Sequence, residues 1–183
     1  MSTLFVNQLA PKTVGNKIIM PQGGIIQVQY TQFTGTSTTS LTALTDTALT
    51  DLTVNITPAS ATSVIHLQAH VFCELGDDTN NTFNTVFFFY RDTTKLSHAA
   101  ASNRQSGISM ATRTYHGTDN NSTPLIARYD YFDTPASTSQ ITYKCGVRAR
   151  LNDTLAINRT IGDQDETYTE RGVSFISATE IAG

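Results

Sequence analysis

The stretch SVIHLQAHVFCE, residues 63–74, decides how the rest of the chain is read. It carries two of the four histidines, four positions apart. On a helix that spacing would put both imidazoles on one face, as in many zinc sites. Yet Ile65, Leu67, Ala69, Val71 and Cys73 alternate with His66, Gln68, His70 and Phe72. A period of two marks a half-buried strand, and a helical stripe at i, i+3, i+4 and i+7 fits less well. On a strand, His66 and His70 share a face but stand roughly 13 Å apart, too far for one zinc ion with ligands at ~2 Å. The pair is read as exposed or interfacial polar side chains.

The same period recurs. GGIIQVQY places Ile26, Val28 and Tyr30 on one face, and DLTVNIT places Leu52, Val54 and Ile56 on one face before Pro58. TVFFFYRD, residues 85–92, is an aromatic run suited to a strand buried on both sides or facing another subunit, and DTTK reads as the turn that follows it. LIARYDYFD offers Ala127, Tyr129 and Tyr131. ITYKCGVRARL has Ile141, Tyr143, Cys145, Val147, Ala149 and Leu151 opposite Thr142, Lys144, Arg148 and Arg150. LAINRT and GVSFISATEIA close the chain. Eight or nine short strands separated by Gly, Pro, Asn, Asp and Ser clusters predict an all-β, antiparallel β-sandwich of jelly-roll type. The Ser/Thr-rich span 34–50 reads equally as a strand pair, a long loop or a subunit contact. Residues 1–22, with Pro11, Gly15 and Pro21, read as an extended N-terminal arm or a disordered tail, and residues 23–183 as a single sandwich domain.

Composition agrees. The 183 residues suffice for one domain with a real core. Threonine, a strand former, is abundant, and charged residues make up only 15%. The net charge of −3 argues against a nucleic-acid partner, and no apolar run approaches the ~20 residues of a membrane span. Arg128, Arg148 and Arg150 lie among acids and hydroxyls and read as a solvated face. The N-terminus lacks the basic and apolar regions of a secretory signal. Cys73 and Cys145 are therefore expected as reduced core thiols, and the N-x-S/T triplets carry little meaning.

Catalytic patterns are lacking. There is no G-x-S-x-G, P-loop or G-x-G-x-x-G. The clusters ELGDD (74–78) and GDQDE (162–166) are read as solvated loops between strands, although the second could offer oxygen ligands to Ca²⁺. Tyr143-x-Cys145 with Cys73 imitates an immunoglobulin signature, but the chain has no Trp and exceeds ~100 residues. No catalytic, cofactor-binding or metal residue is assigned.

The text LFVNQLAPKTVGNKIIMPQGGIIQVQY (4–30), the unit LTVNITPASATSVIHLQAHV (52–71) and the ending GVSFISATEIAG (172–183) resemble a group of small structural proteins of tailed bacteriophages. The resemblance is good over residues 4–72 and the last ten or so, and weak over 74–170. It implies a non-enzymatic, homotrimeric β-sandwich on the virion surface, assembled in the host cytoplasm. One arm and one domain suit a capsid decoration (cement) protein better than a head or tail fibre. Its partner would be the major capsid protein or another virion protein, and Leu4, Phe5, Val6, Leu9 and Pro11 of the arm would contact the capsid or a neighbouring subunit. Phe87, Phe89, Tyr129 and Tyr131 would be core or subunit-interface residues. The alternative is a tail-fibre or receptor-binding module that recognises host glycan through loops 74–84, 98–124 and 161–171.

Overall fold

A computed structural model describes residues 21–76, 84–113 and 122–183. The arm residues Leu4, Phe5, Val6, Leu9 and Pro11 lie outside the described residues, as do parts of loops 74–84 and 98–124. The described chain is all-β. Its strands are β1 (Ile25–Phe33), β2 (Ser37–Leu41), β3 (Thr47–Ile56), β4 (Val64–Leu75), β5 (Val86–Arg91) and β6 (Thr94–Leu96). They continue as β7 (Ser109–Met110), β8 (Thr112–Arg113), β9 (Leu125–Asp133), β10 (Ile141–Arg148), β11 (Asp153–Ile157) and β12 (Ser174–Ile181).

Two antiparallel sheets pack face to face. The larger carries β1-β12-β4-β9, with β8 beyond β9; the smaller carries β3-β10-β5-β6, with β7 also on β5. The pairing is nested. The first strand pairs with the last (β1 with β12), then β3 with β10, β4 with β9 and β5 with β6. A long hairpin folded back over itself in this way is a jelly roll. The alternating apolar residues of β3, β4, β9 and β10 meet between the sheets, with Leu52, Ile65, Leu67, Val71, Tyr143 and Val147 all buried. Phe87 and Phe89 of β5 join them, and Tyr131 packs partly buried against the same core.

Polar ties join the sheets. Asp133 on β9 accepts hydrogen bonds from Arg91 (2.9 Å) and from the Tyr143 hydroxyl (2.7 Å), both on the smaller sheet. Thr31 of β1 donates to the carbonyl of Thr53 on β3 at 2.6 Å. Phe88 points away from the core, yet it too is fully buried. Its ring lies over Gly146, where an added Cβ would come within 2.4 Å of it, and Lys95 Nζ caps it at 4.0 Å from the ring centre. The aromatic run is therefore buried on both sides.

Asn158 holds the join between two halves of the larger sheet. One edge of β4 pairs with β12 through His70 and with β11 from Cys73 onward. Beyond them lie β1 and β2, broken apart at residues 34–36. Asn158 fills the gap in the left-handed region (φ 61°), which Asn tolerates. Its amide donates to the carbonyls of Phe33 (2.7 Å) and Gly35 (2.8 Å), and its carbonyl oxygen accepts from Ser174 Oγ (2.6 Å). Its backbone N–H reaches the Phe72 carbonyl at 2.9 Å.

Several sequence expectations are corrected. The apolar face of GGIIQVQY turns outward, because Gln27 and Thr31 take the side facing β3. Leu151 lies past the end of β10 and is exposed. The DTTK turn is confined to Asp92 and Thr93, since Thr94 already begins β6. Span 34–50 resolves into β2 and the start of β3, which lie in different sheets. Glu74 lies in β4 rather than in a loop, and it is buried.

Asn158→Ala is expected to cost about 3 kcal/mol or more, through lost partners for buried groups and left-handed strain. Asn158→Gly relieves the strain alone and should recover only part of the loss. Chemical denaturation checks both, and equal stability of Asn158→Ala and the native chain would refute the role.

Candidate functional site

Alternation that buries one face of β4 sends His66, Gln68 and His70 to the other, on the outside of the larger sheet. Register then sets their neighbours. Across His66 run Thr179 of β12 and Phe132 of β9; across His70 run Phe175 and Arg128. The His66 ring stacks on Phe132 (centroids 4.2 Å apart, 10° between planes) and the His70 ring on Phe175 (5.9 Å, 19°). Arg128 Nε donates to His70 Nδ1 at 2.9 Å, which requires an unprotonated Nδ1. Burial, and then the Arg128 charge, hold the His70 pKa below its ordinary value. His66 Nε2 lies 3.6 Å from Asp130 Oδ2. Gln68, His70, Arg128, Asp130 and Phe175 line a shallow cavity of about 340 Å³.

This face continues onto β1. Val28 pairs with Thr179, in the row of His66, and Tyr30 with Ser177, in the row of Gln68. Tyr30 is 72% exposed, Phe132 58% and Val28 51%, a density of bare apolar side chains that marks interaction surfaces. Among the described residues β1 pairs only with β12, so its far side is an open sheet edge. The arm attaches to this strand at Pro21, where a turn closes with Gly24 N–H on the Pro21 carbonyl at 2.8 Å. The sequence reading missed the exposure of Val28, Tyr30, Phe132 and Phe175. The local pattern assigns residues to faces and leaves open which face meets the second sheet.

The acidic residues are structural. Glu74 accepts from Thr123 N–H (2.7 Å), Thr123 Oγ1 (3.0 Å) and Ile161 N–H (2.6 Å), fastening two loops to the end of β4. Glu180 accepts from Gln27 (2.6 Å), Ala59 N–H (2.7 Å) and Ser63 Oγ (2.6 Å). Asp163, of the GDQDE loop, is paired with Arg159 and Arg171. Both thiols are free and buried in opposite sheets, and burial pushes each up to about 12. At neutral pH they stay protonated and make poor nucleophiles. Asn158, which begins an N-x-T triplet, is only 1% exposed and out of reach of modification. Among the described residues no group of three or more His, Cys, Asp or Glu is arranged to hold a metal ion.

A histidine held below its ordinary pKa of 6.5 binds fewer protons folded than unfolded. Its contribution to stability is complete above that value and is lost as pH falls through the folded pKa. Acidifying from about pH 7.5 to about pH 5.5 should therefore lower the Tm of the native chain more than that of His70→Gln. Parallel Tm-against-pH curves would show that His70 is not responsible. No family model matches the chain, and no curated protein matches its sequence.

Proposed function

We propose that the chain is a non-enzymatic structural protein of a tailed-bacteriophage virion, a capsid decoration protein that acts as a homotrimer. In this reading it binds the assembled head shell through the arm and the adjoining edge of β1. The resemblance of residues 4–72 and of the closing strand supports it, as does a β-sandwich, the architecture that resemblance implies. The observation that carries it is the outward-turned apolar side of β1 at an open sheet edge, directly after the arm. Such an edge takes an added strand through main-chain hydrogen bonds, while Val28 and Tyr30 bury against the partner. Binding only the assembled shell stabilises it by mass action, and the effect sums over copies.

Purified heads lacking the protein test this reading. The full chain should bind them saturably, and deletion of residues 1–20 should abolish binding. Val28→Asp with Tyr30→Ser, exposed positions that leave the fold intact, should weaken it. Undiminished decoration by the truncated chain would refute the arm's role. A second reading, a tail-located glycan-binding module, is favoured by the exposed rings of Tyr30, Phe132 and Phe175, which could stack on sugars. Gold-labelled antibody over the head supports the first reading, and gold confined to the tail supports the second.

A further inference from the structure

The smaller sheet presents a different outer face. Lys95 of β6 and Arg148 of β10 both point away from the core, and the segment after β6 folds over them. Together with Asp46, His98 and Arg104 they line a cavity of about 460 Å³. We infer that this cavity is a binding site for an acidic sugar, a saccharide unit bearing a carboxylate or phosphate group. The inference stands independently of the virion reading.

Charge is the first argument. Three permanent cations face a single carboxylate, in a chain whose net charge is −3. Asp46 Oδ1 takes Lys95 Nζ at 2.9 Å but reaches Arg148 Nη1 only at 3.4 Å. Arg148 Nε is buried with no hydrogen-bond partner, and the pairing of this guanidinium with Asp46 is long. Arg104 makes no ion pair among the described residues and has one long contact, from Nη1 to the Ala101 carbonyl at 3.4 Å. Arg104 also lines the neighbouring cavity with Arg150, which extends the positive field. Guanidinium groups that share one carboxylate or have none, lining a concavity, suit an oxyanion, which they bind with charge-assisted hydrogen bonds.

Hydroxyl chemistry is the second argument, and it favours a sugar over an acidic peptide. Ser97 Oγ donates to the His98 carbonyl at 3.0 Å and Ser106 Oγ to the Ala99 carbonyl at 3.3 Å. Both residues line the cavity, and with these contacts made their hydroxyl oxygens still have acceptor capacity for ligand O–H donors. The rest of the lining includes Ala99 and Ala100, with no large exposed apolar group to seat a peptide side chain. Lys95 is preorganised by Asp46 on one side and by the Phe88 ring on the other. A cavity of this size accommodates one or two sugar rings.

Calorimetry and NMR titration of the full chain test the inference. The probes are glucuronate, glucose 6-phosphate, neutral glucose and inorganic phosphate. Saturable binding is expected for glucuronate, glucose 6-phosphate or both, and the stronger of the two identifies the acidic group. Arg104→Gln should weaken binding about tenfold, the value of one charge-assisted hydrogen bond. Arg148→Gln should do the same, and added salt should weaken binding further. Glucose binding as tightly as glucuronate would overturn the inference, as would affinity unchanged in both variants. Inorganic phosphate matching glucose 6-phosphate would also overturn it, by reducing the site to an adventitious ion only. Arg104 is exposed and barely bonded, so Arg104→Gln remains informative even if Arg148→Gln fails to fold.

Discussion

The larger sheet depends on how one edge of a single strand is shared. β4 is twelve residues long, and two shorter strands, β12 and β11, follow each other along that edge. A ladder interrupted in this way leaves main-chain groups without strand partners, and buried ones are costly unless satisfied. Asn158 meets that demand with its side-chain amide, its side-chain carbonyl and its own backbone. Gly172 belongs to the same join, since an added Cβ there would come within 2.2 Å of the Phe72 ring. Once the join is made, β1 lies outside β12, and among the described residues nothing pairs with its outer edge.

The two outer faces differ because two neighbouring sets of residues differ. On the larger sheet β4, β9 and β12 contribute imidazoles and phenyl rings in register, so the surface is rich in exposed rings, with Arg128 and Asp130 among them. On the smaller sheet Phe88 is sealed by Gly146 beneath and Lys95 above, which removes the aromatic surface from solvent and gathers cations around it. The first face suits association by apolar burial, the second suits recognition of an anion. The ionisable groups within the fold are occupied structurally: Glu74 and Glu180 satisfy loop and strand donors, and Asp133 ties the sheets.

Much of the fold was legible in the residues themselves. The alternation in β3, β4, β9 and β10 named the inward residues correctly, because side-chain direction on a strand depends only on the local pleat. The continuous apolar run of β5 left open burial on both sides or a subunit contact, and Phe87, Phe88 and Phe89 are all buried. The candidate sites were far less legible. Arg148 read as one member of a solvated face, and nothing in its neighbourhood along the chain announced Lys95, Asp46 or Arg104. Glu74 read as a loop acid, because its donors Thr123 and Ile161 lie far along the chain.

The sequence by itself therefore determined an all-β antiparallel sandwich, most of its strands, and the two thiols as members of its core. Tertiary structure alone decided the division of one β4 edge between β12 and β11, the outward turn of Val28 and Tyr30, and the gathering of Lys95, Arg104 and Arg148 around one cavity. The physical reason is separation. The pleat is a property of adjacent residues, whereas the orientation of β1 is set by contacts such as Gln27 with Glu180, 153 positions apart. Such contacts exist only once the chain has closed on itself, and no periodicity along the chain encodes them.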